Sequence, residues 1–302
     1  MAPVKVAIAG ATGNLGLPTV KAFLAAKYPV TVLTRAGSQS ASKLPQDANL
    51  TVTEVDYESV SSLTSALKGI QVVVSTITTL AIGAQKPLID AAVAAGVTRF
   101  IPSEFGSNTV NPNAAALPVL KPKVETQEYL KEKVKENPNF SYTLVLTGPF
   151  LDYGLDTGFV LSPKQHKATV VDGGDVPFSA TTLPSIAKAL VGVVQHLDET
   201  KNRAVYVHDA TLTQNQLIAA TKKKDGKDWD ITPVSSDDIL KSSYEELGKE
   251  NGNITSAMFG FLTKAIYGKD YGCDFRGHLD NDLLGLKELS EQEIDDLVAT
   301  YL

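Results

Sequence analysis

Apolar residues in the first half of the chain fall into two alternating patterns. Short β-branched runs stand at Val4–Ala9, Val30–Leu33, Leu50–Val55, Val72–Ser75, Phe100–Pro102 and Tyr142–Leu146. Between them, Asn14–Ala26, Val60–Leu67, Ile82–Ala95 and Val119–Lys135 repeat apolar residues at helical spacing. Several of the strand-like runs are apolar at every position. Strands read that way when helices cover both faces of a parallel sheet. The alternation therefore predicts an α/β fold: a Rossmann-type, doubly wound parallel sheet with right-handed crossovers.

The pattern changes after Pro149. Residues 150–180 are rich in Gly, Asp and Pro. Helical spacing returns at Pro184–His196, Gln214–Lys222, Asp237–Lys249 and Glu291–Tyr301, with an isolated strand-like run at Val205–Val207. The expected division is residues 1–150 for nucleotide binding and residues 151–302 for a smaller, α-rich part that holds substrate. A strand at about 203–208 would return to the main sheet. No repeat or low-complexity linker separates the two parts.

Composition narrows the classes. The chain has 302 residues, 43% of them apolar, and a formal net charge of −6. That balance argues against a nucleic-acid or anionic-membrane binder. Its one basic run, Lys222–Lys224, reads as the end of a helix. With one cysteine, Cys273, and four scattered histidines, the sequence offers no disulfide and no metal-ligand spacing. No stretch is apolar for long enough to be a membrane helix, and the first apolar run breaks at Gly10, too early for a signal peptide. The expectation is a cytoplasmic protein without a metal. Nothing in the sequence fixes its oligomeric state.

The chemistry begins at Gly10-Ala-Thr12-Gly13-Asn14-Leu15-Gly16, which follows a strand and opens a helix. In that context the first Gly makes the tight turn, the second lets the backbone approach a pyrophosphate, and the third lets helix pack on strand. The helix N-terminus then offers free N–H groups to the phosphates. The second strand ends on Arg35, where an NAD site carries an acid. A guanidinium pairs with a 2′-phosphate instead, so the cofactor read here is NADP(H), with Lys43 placed to assist.

The loop, the strand Val72-Val-Val-Ser75-Thr76, the segment Gln85–Gly96 and above all Arg99-Phe-Ile-Pro-Ser-Glu-Phe-Gly106 resemble the isoflavone reductase-like branch of the NmrA family. These are atypical short-chain dehydrogenases, and the branch includes phenylcoumaran benzylic ether and pinoresinol-lariciresinol reductases. The resemblance implies an oxidoreductase: hydride passes from NADPH to a small aromatic or polycyclic substrate. It also implies site residues. Thr12, Asn14 and Leu15 would line the pyrophosphate loop, and Thr76 and Ile77 would border the cofactor. Ser103, Glu104 and Phe105 would sit beside the nicotinamide, with Pro149 and Phe150 closing over it. Phe105, Phe150 and Tyr153 would face substrate. The family's catalytic lysine falls on Lys121.

Two residues depart from the family pattern. Pro122 should push Lys121 out of helical geometry, and Glu125 stands where the plant enzymes carry a base. Helical phasing, taken by itself, puts Lys123 nearer the buried face. The Tyr129/Lys133 pair has the YxxxK spacing of ordinary short-chain dehydrogenases but lies in a Lys/Glu-rich run. Some NmrA-like proteins bind NAD(P) without consuming it and act as redox-sensing regulators, which is the alternative to an enzyme.

Overall fold

A computed structural model of the chain describes residues 3–78, 82–83 and 85–302. The first half builds β1 (Val6–Ala9), α1 (Gly16–Ala25), β2 (Val30–Arg35), β3 (Leu50–Val55), α2 (Val60–Ala66) and β4 (Val72–Ser75). It continues with α3 (Gln85–Ala94), β5 (Arg99–Ile101), α4 (Pro112–Ala115), α5 (Lys121–Glu136) and β6 (Ser141–Leu146). The helix expected from Ile82 is described from Gln85 onward; Ala84 lies outside the described residues.

The main sheet has seven parallel strands. The seventh, β9 (Arg203–Tyr206), comes from the second half and pairs with β6. The order β3-β2-β1-β4-β5-β6-β9 reverses between β1 and β4. The loops after those two strands therefore leave in opposite directions and open a crevice between them.

Alternation of side chains explains the apolar strands. Val6 and Ile8 of β1 join one core with Val72, Val74 and residues of α1 and of α7 (Leu183–Gln195). Ala7 and Ala9 join the other core, with Val73 and residues of α2, α3 and α5. β1 and β4 thus bury both of their faces, whereas the edge strand β3 leaves Val52 exposed.

Ile186, Val194, Val205 and Leu284 join the first core, while a third draws on other residues between Leu151 and Val298. It contains α6 (Leu151–Thr157), α8 (Gln214–Asp225), a parallel pair of β7 (Lys167–Val171) with β11 (Asp230–Val234), and an antiparallel pair of β8 (Phe178–Ala180) with β10 (Ala210–Leu212). Two further helices, α9 (Ser236–Gly248) and α10 (Ile254–Tyr267), pack on each other, and α11 (Glu291–Ala299) packs on α8. Among the described residues no helix is long and apolar enough to cross a membrane.

Two polar clusters pin this framework. Tyr129 Oη donates to Asp90 Oδ1 at 2.6 Å, and Lys133 Nζ lies 2.7 Å from the same oxygen. The YxxxK pair therefore ties α5 to α3. Arg99 is buried at the start of β5. Its guanidinium donates to Ser141 Oγ and Thr143 Oγ1 at 2.8 Å and to Thr200 Oγ1 at 3.0 Å, and also to the carbonyl of Leu197. Burial lowers its pKa to about 10, so it stays charged at neutral pH. It joins β5 and β6 to the connection between α7 and β9. Arg99→Met keeps the length and removes every donor. Its expected cost is about 2–4 kcal/mol, read as a lower urea midpoint at unchanged m. An unchanged midpoint would show that these acceptors find other partners.

Candidate active site

Gly10 follows β1 at φ +79°, and a Cβ there would stand 2.6 Å from the main-chain oxygen of Thr76. A side chain at Gly16 would collide with Gly10 and Ala11. Gly13 is exposed, and its N–H donates to the Gly10 carbonyl at 3.0 Å. Thr12 and Asn14 stand on the same loop, while Leu15 is buried beneath it. Leu15 caps α1 with no side-chain hydrogen bond, and the first turn holds no acid. No side chain therefore covers the start of α1, where the Leu17 N–H donates to the Gly13 carbonyl at 3.1 Å.

Arg35 ends β2 and is exposed; Lys43 ends a 3₁₀ turn over 39–43 and is exposed too. Tyr57 lies underneath, its hydroxyl donating to the Leu33 carbonyl at 3.0 Å, and burial pushes its pKa up to about 12. Across the crevice, Thr76 donates to the Ala9 carbonyl twice, from its N–H at 2.8 Å and from Oγ1 at 2.9 Å. The Ile77 carbonyl accepts from Ser103 Oγ at 2.7 Å, and the Ser103 N–H donates to Gln85 Oε1 at 3.0 Å. These bonds join the ends of β1, β4 and β5 into one floor.

The Pro-Ser-Glu-Phe-Gly segment leads from that floor into a cavity of about 880 Å³. Phe105 holds φ +28°, where a side chain is rare, and its N–H donates to the Val145 carbonyl at 3.0 Å. Strain of this kind persists where the surroundings fix it. The Gly106 carbonyl accepts from the Gly148 N–H at 2.9 Å, which sets the two loops side by side. Phe105, Pro149, Phe150 and Tyr153 all line the cavity. Phe159, Phe259 and Tyr267 line it too, with the rings of Phe159 and Phe259 5.7 Å apart. Phe259 and Tyr267 belong to α10, a helix not read from the sequence.

The two candidate lysines separate here. Pro122 sits in the first turn of α5 and leaves Lys121 helical, at φ −51° and ψ −45°. The expected distortion is absent because a first-turn proline lacks only an N–H that has no helical partner. Lys121 nonetheless points outward: its side chain is 75% exposed and 3.9 Å from Glu125. Lys123 is 7% exposed and on the cavity wall, with its Nζ bonded to the main-chain oxygen of Glu104. Glu104 is 2% exposed, and its side chain turns away from the cavity. Its carboxylate accepts from Thr109 Oγ1 at 2.7 Å and from Gln127 Nε2 at 3.0 Å. Burial lowers the pKa of Lys123 and raises that of Glu104, and each partner opposes the shift of the other.

A Ser–His–Glu arrangement stands elsewhere. Ser179 Oγ lies 2.8 Å from His208 Nδ1, and Glu288 Oε2 lies 3.3 Å from His208 Nε2. Ser179 and His208 are fully buried away from the cavity, and Ser179 also accepts the Phe275 N–H at 2.9 Å. The cluster fastens the β8–β10 pair. Among the described residues no three His, Cys, Asp or Glu side chains are grouped to hold a metal.

The chain is similar to known proteins. Over 99% of both chains, the protein is 34% identical to Oxidoreductase aprR from Aspergillus flavus. It is 32% identical to Isoflavone reductase homolog IRL from Zea mays, covering 80% of this chain and 81% of the relative. The fold is that of the leucoanthocyanidin reductase–NADPH complex from Vitis vinifera, with a TM-score of 0.78 at 23% identity over 98% and 99% of the two chains. Residues 3–262 match the NmrA-like family, and the chain belongs to it.

Proposed function

We propose that the protein is an NADPH-dependent reductase of a small aromatic or polycyclic substrate. One observation carries this reading: a buried lysine and several aromatic faces share the wall of a cavity that opens beside a dinucleotide-type crevice. The relatives named oxidoreductase and isoflavone reductase homolog support it. So does the NADPH held by a structure of the same fold.

The residues present fit the cofactor. The open face of Gly13 and the uncapped start of α1 suit a pyrophosphate. Arg35 and Lys43 suit a 2′-phosphate. Thr76, Ile77 and Ser103 form the floor beneath, with Phe105, Pro149 and Phe150 around the reactive end. When bound, NADPH supplies the hydride.

The chain does the rest. Phe105, Phe150 and Tyr153 orient a flat substrate and exclude water. Negative charge builds on a substrate oxygen as the neighbouring carbon is reduced. The Lys123 ammonium donates its proton there and regains one from water through the cavity. Its low exposure weakens its hold on the proton, which suits it to that exchange. Lys121 is assigned no part in the chemistry, because its side chain stands in solvent beside Glu125.

Arg35→Ala should remove most of the preference for NADPH over NADH. A charge-assisted contact of this kind is worth on the order of 10–100-fold in affinity. Titration of both cofactors against both proteins checks it. Equal affinity for the two cofactors in the native chain would overturn the 2′-phosphate assignment.

Lys123→Met should lower turnover roughly 100-fold with NADPH affinity little changed, while Lys121→Met stays near wild type. Steady-state kinetics with a panel of phenolic and quinone substrates provides the measurement. A large loss in Lys121→Met alone would return the role to that residue. Tight NADPH binding without consumption across the panel would favour a redox sensor.

A further inference from the structure

Lys123 presents an electrostatic problem. An ammonium withdrawn from water loses its proton unless an opposite charge stands near. Around Lys123 the other ionisable groups of the cavity wall are Tyr153 on α6, Tyr267 on α10, and the Lys167–Asp230 pair, itself 3.8 Å apart and exposed. On its own helix, Lys121 pairs with Glu125, and Glu128 with Lys131. From α10, which packs on the turn before α5, Lys264 is committed to Asp237 at 2.6 Å. Glu104 is the acid that remains: Lys123 Nζ is bonded to its main-chain oxygen, and both residues are buried.

The carboxylate of Glu104 is held with care. It takes one bond from Thr109 and one from Gln127, and Gln127 Nε2 also donates to Thr109 Oγ1 at 2.8 Å, closing a triangle. Gln127 follows Lys123 by four residues, so both stand on one face of α5. All four side chains are buried, yet only Lys123 reaches the cavity wall. The carboxylate therefore backs the lysine from the protein side and cannot itself meet substrate.

We infer that Glu104 is a positioning residue for Lys123: its main-chain oxygen holds the ammonium on the cavity wall, and its buried carboxylate, fixed by Thr109 and Gln127, keeps that ammonium charged. This inference rests on the proton-donor reading of Lys123. The balance is simple. Before transfer the pair is neutral, as carboxylate and ammonium. After the proton passes to the substrate oxygen, the carboxylate is left with a neutral amine. Glu104 thus favours the charged lysine, and burial favours the neutral one.

Glu104→Gln removes the charge and keeps the shape. The new amide oxygen accepts from Gln127 Nε2 and the new N–H donates to Thr109 Oγ1, so Gln127 keeps both of its bonds. The proton affinity of Lys123 is read in the free protein by competitive labelling with acetic anhydride across pH, followed by mass spectrometry. The expected result is a fall in the apparent pKa of Lys123 by about one unit or more. The alkaline limb of kcat/KM, where the ammonium is lost, should move to lower pH by the same amount. Thr109→Val leaves the carboxylate in place with one bond fewer and should shift both readouts in the same direction by less. It carries the test if Glu104→Gln does not fold. An unchanged labelling pKa of Lys123 in a folded variant overturns the inference. Labelling needs no substrate, so the two readings fail separately. A shifted pKa with full turnover in Lys123→Met would keep the pairing and remove the proton-donor role.

Discussion

The site depends on how closely two strand ends approach. Where the strand order reverses, the chain leaving β1 and the chain leaving β4 must almost touch. Thr76 clamps them by donating twice to the Ala9 carbonyl, at 2.8 and 2.9 Å. Gly10 makes the approach feasible, since any Cβ there would stand 2.6 Å from the Thr76 oxygen. The crevice, the start of α1 and the floor at Ile77 and Ser103 all take their places from this contact. A larger residue at Gly10 would have to pry the sheet apart or give up its left-handed backbone.

The second half is tied to the same frame at several points. Gly148 passes against the main chain of Ser179, where a side chain has no room. Phe150 forms a bridge to Thr181, and both Asp152 oxygens accept the Leu183 N–H at 3.1 Å at the start of α7. That helix packs on α1, and the strand after it extends the sheet beyond β6. The cavity walls are thus continuous with the sheet that carries the crevice. This continuity lets residues distant in sequence, Phe105, Lys123 and Phe150, face one space.

The sheet was legible because its signals are local. Apolar runs bounded by turn residues marked the strands, and glycine spacing marked the loop. Arg35 was legible because it ends a strand. The second half was harder. Residues 150–180 read as polar turns, yet they hold α6, β7 and β8, whose burial comes from long-range contacts. α10 was missed although Ala257, Phe261 and Ala265 recur every four residues; apolar residues on its other faces, such as Phe259, blur that stripe. The lysines show the limit best. A short motif points to Lys121, while helical phasing points to Lys123, and only the packing of α5 separates them. The charge behind Lys123 was out of reach, because Glu104 lies 19 positions away.

The most direct measurement is a crystal structure with NADP+ bound. The nicotinamide should lie between Phe105 and Phe150, with Lys123 facing the open part of the cavity and the 2′-phosphate on Arg35. A dinucleotide whose nicotinamide lies outside the cavity, or whose ring faces Lys121 instead, would contradict this arrangement.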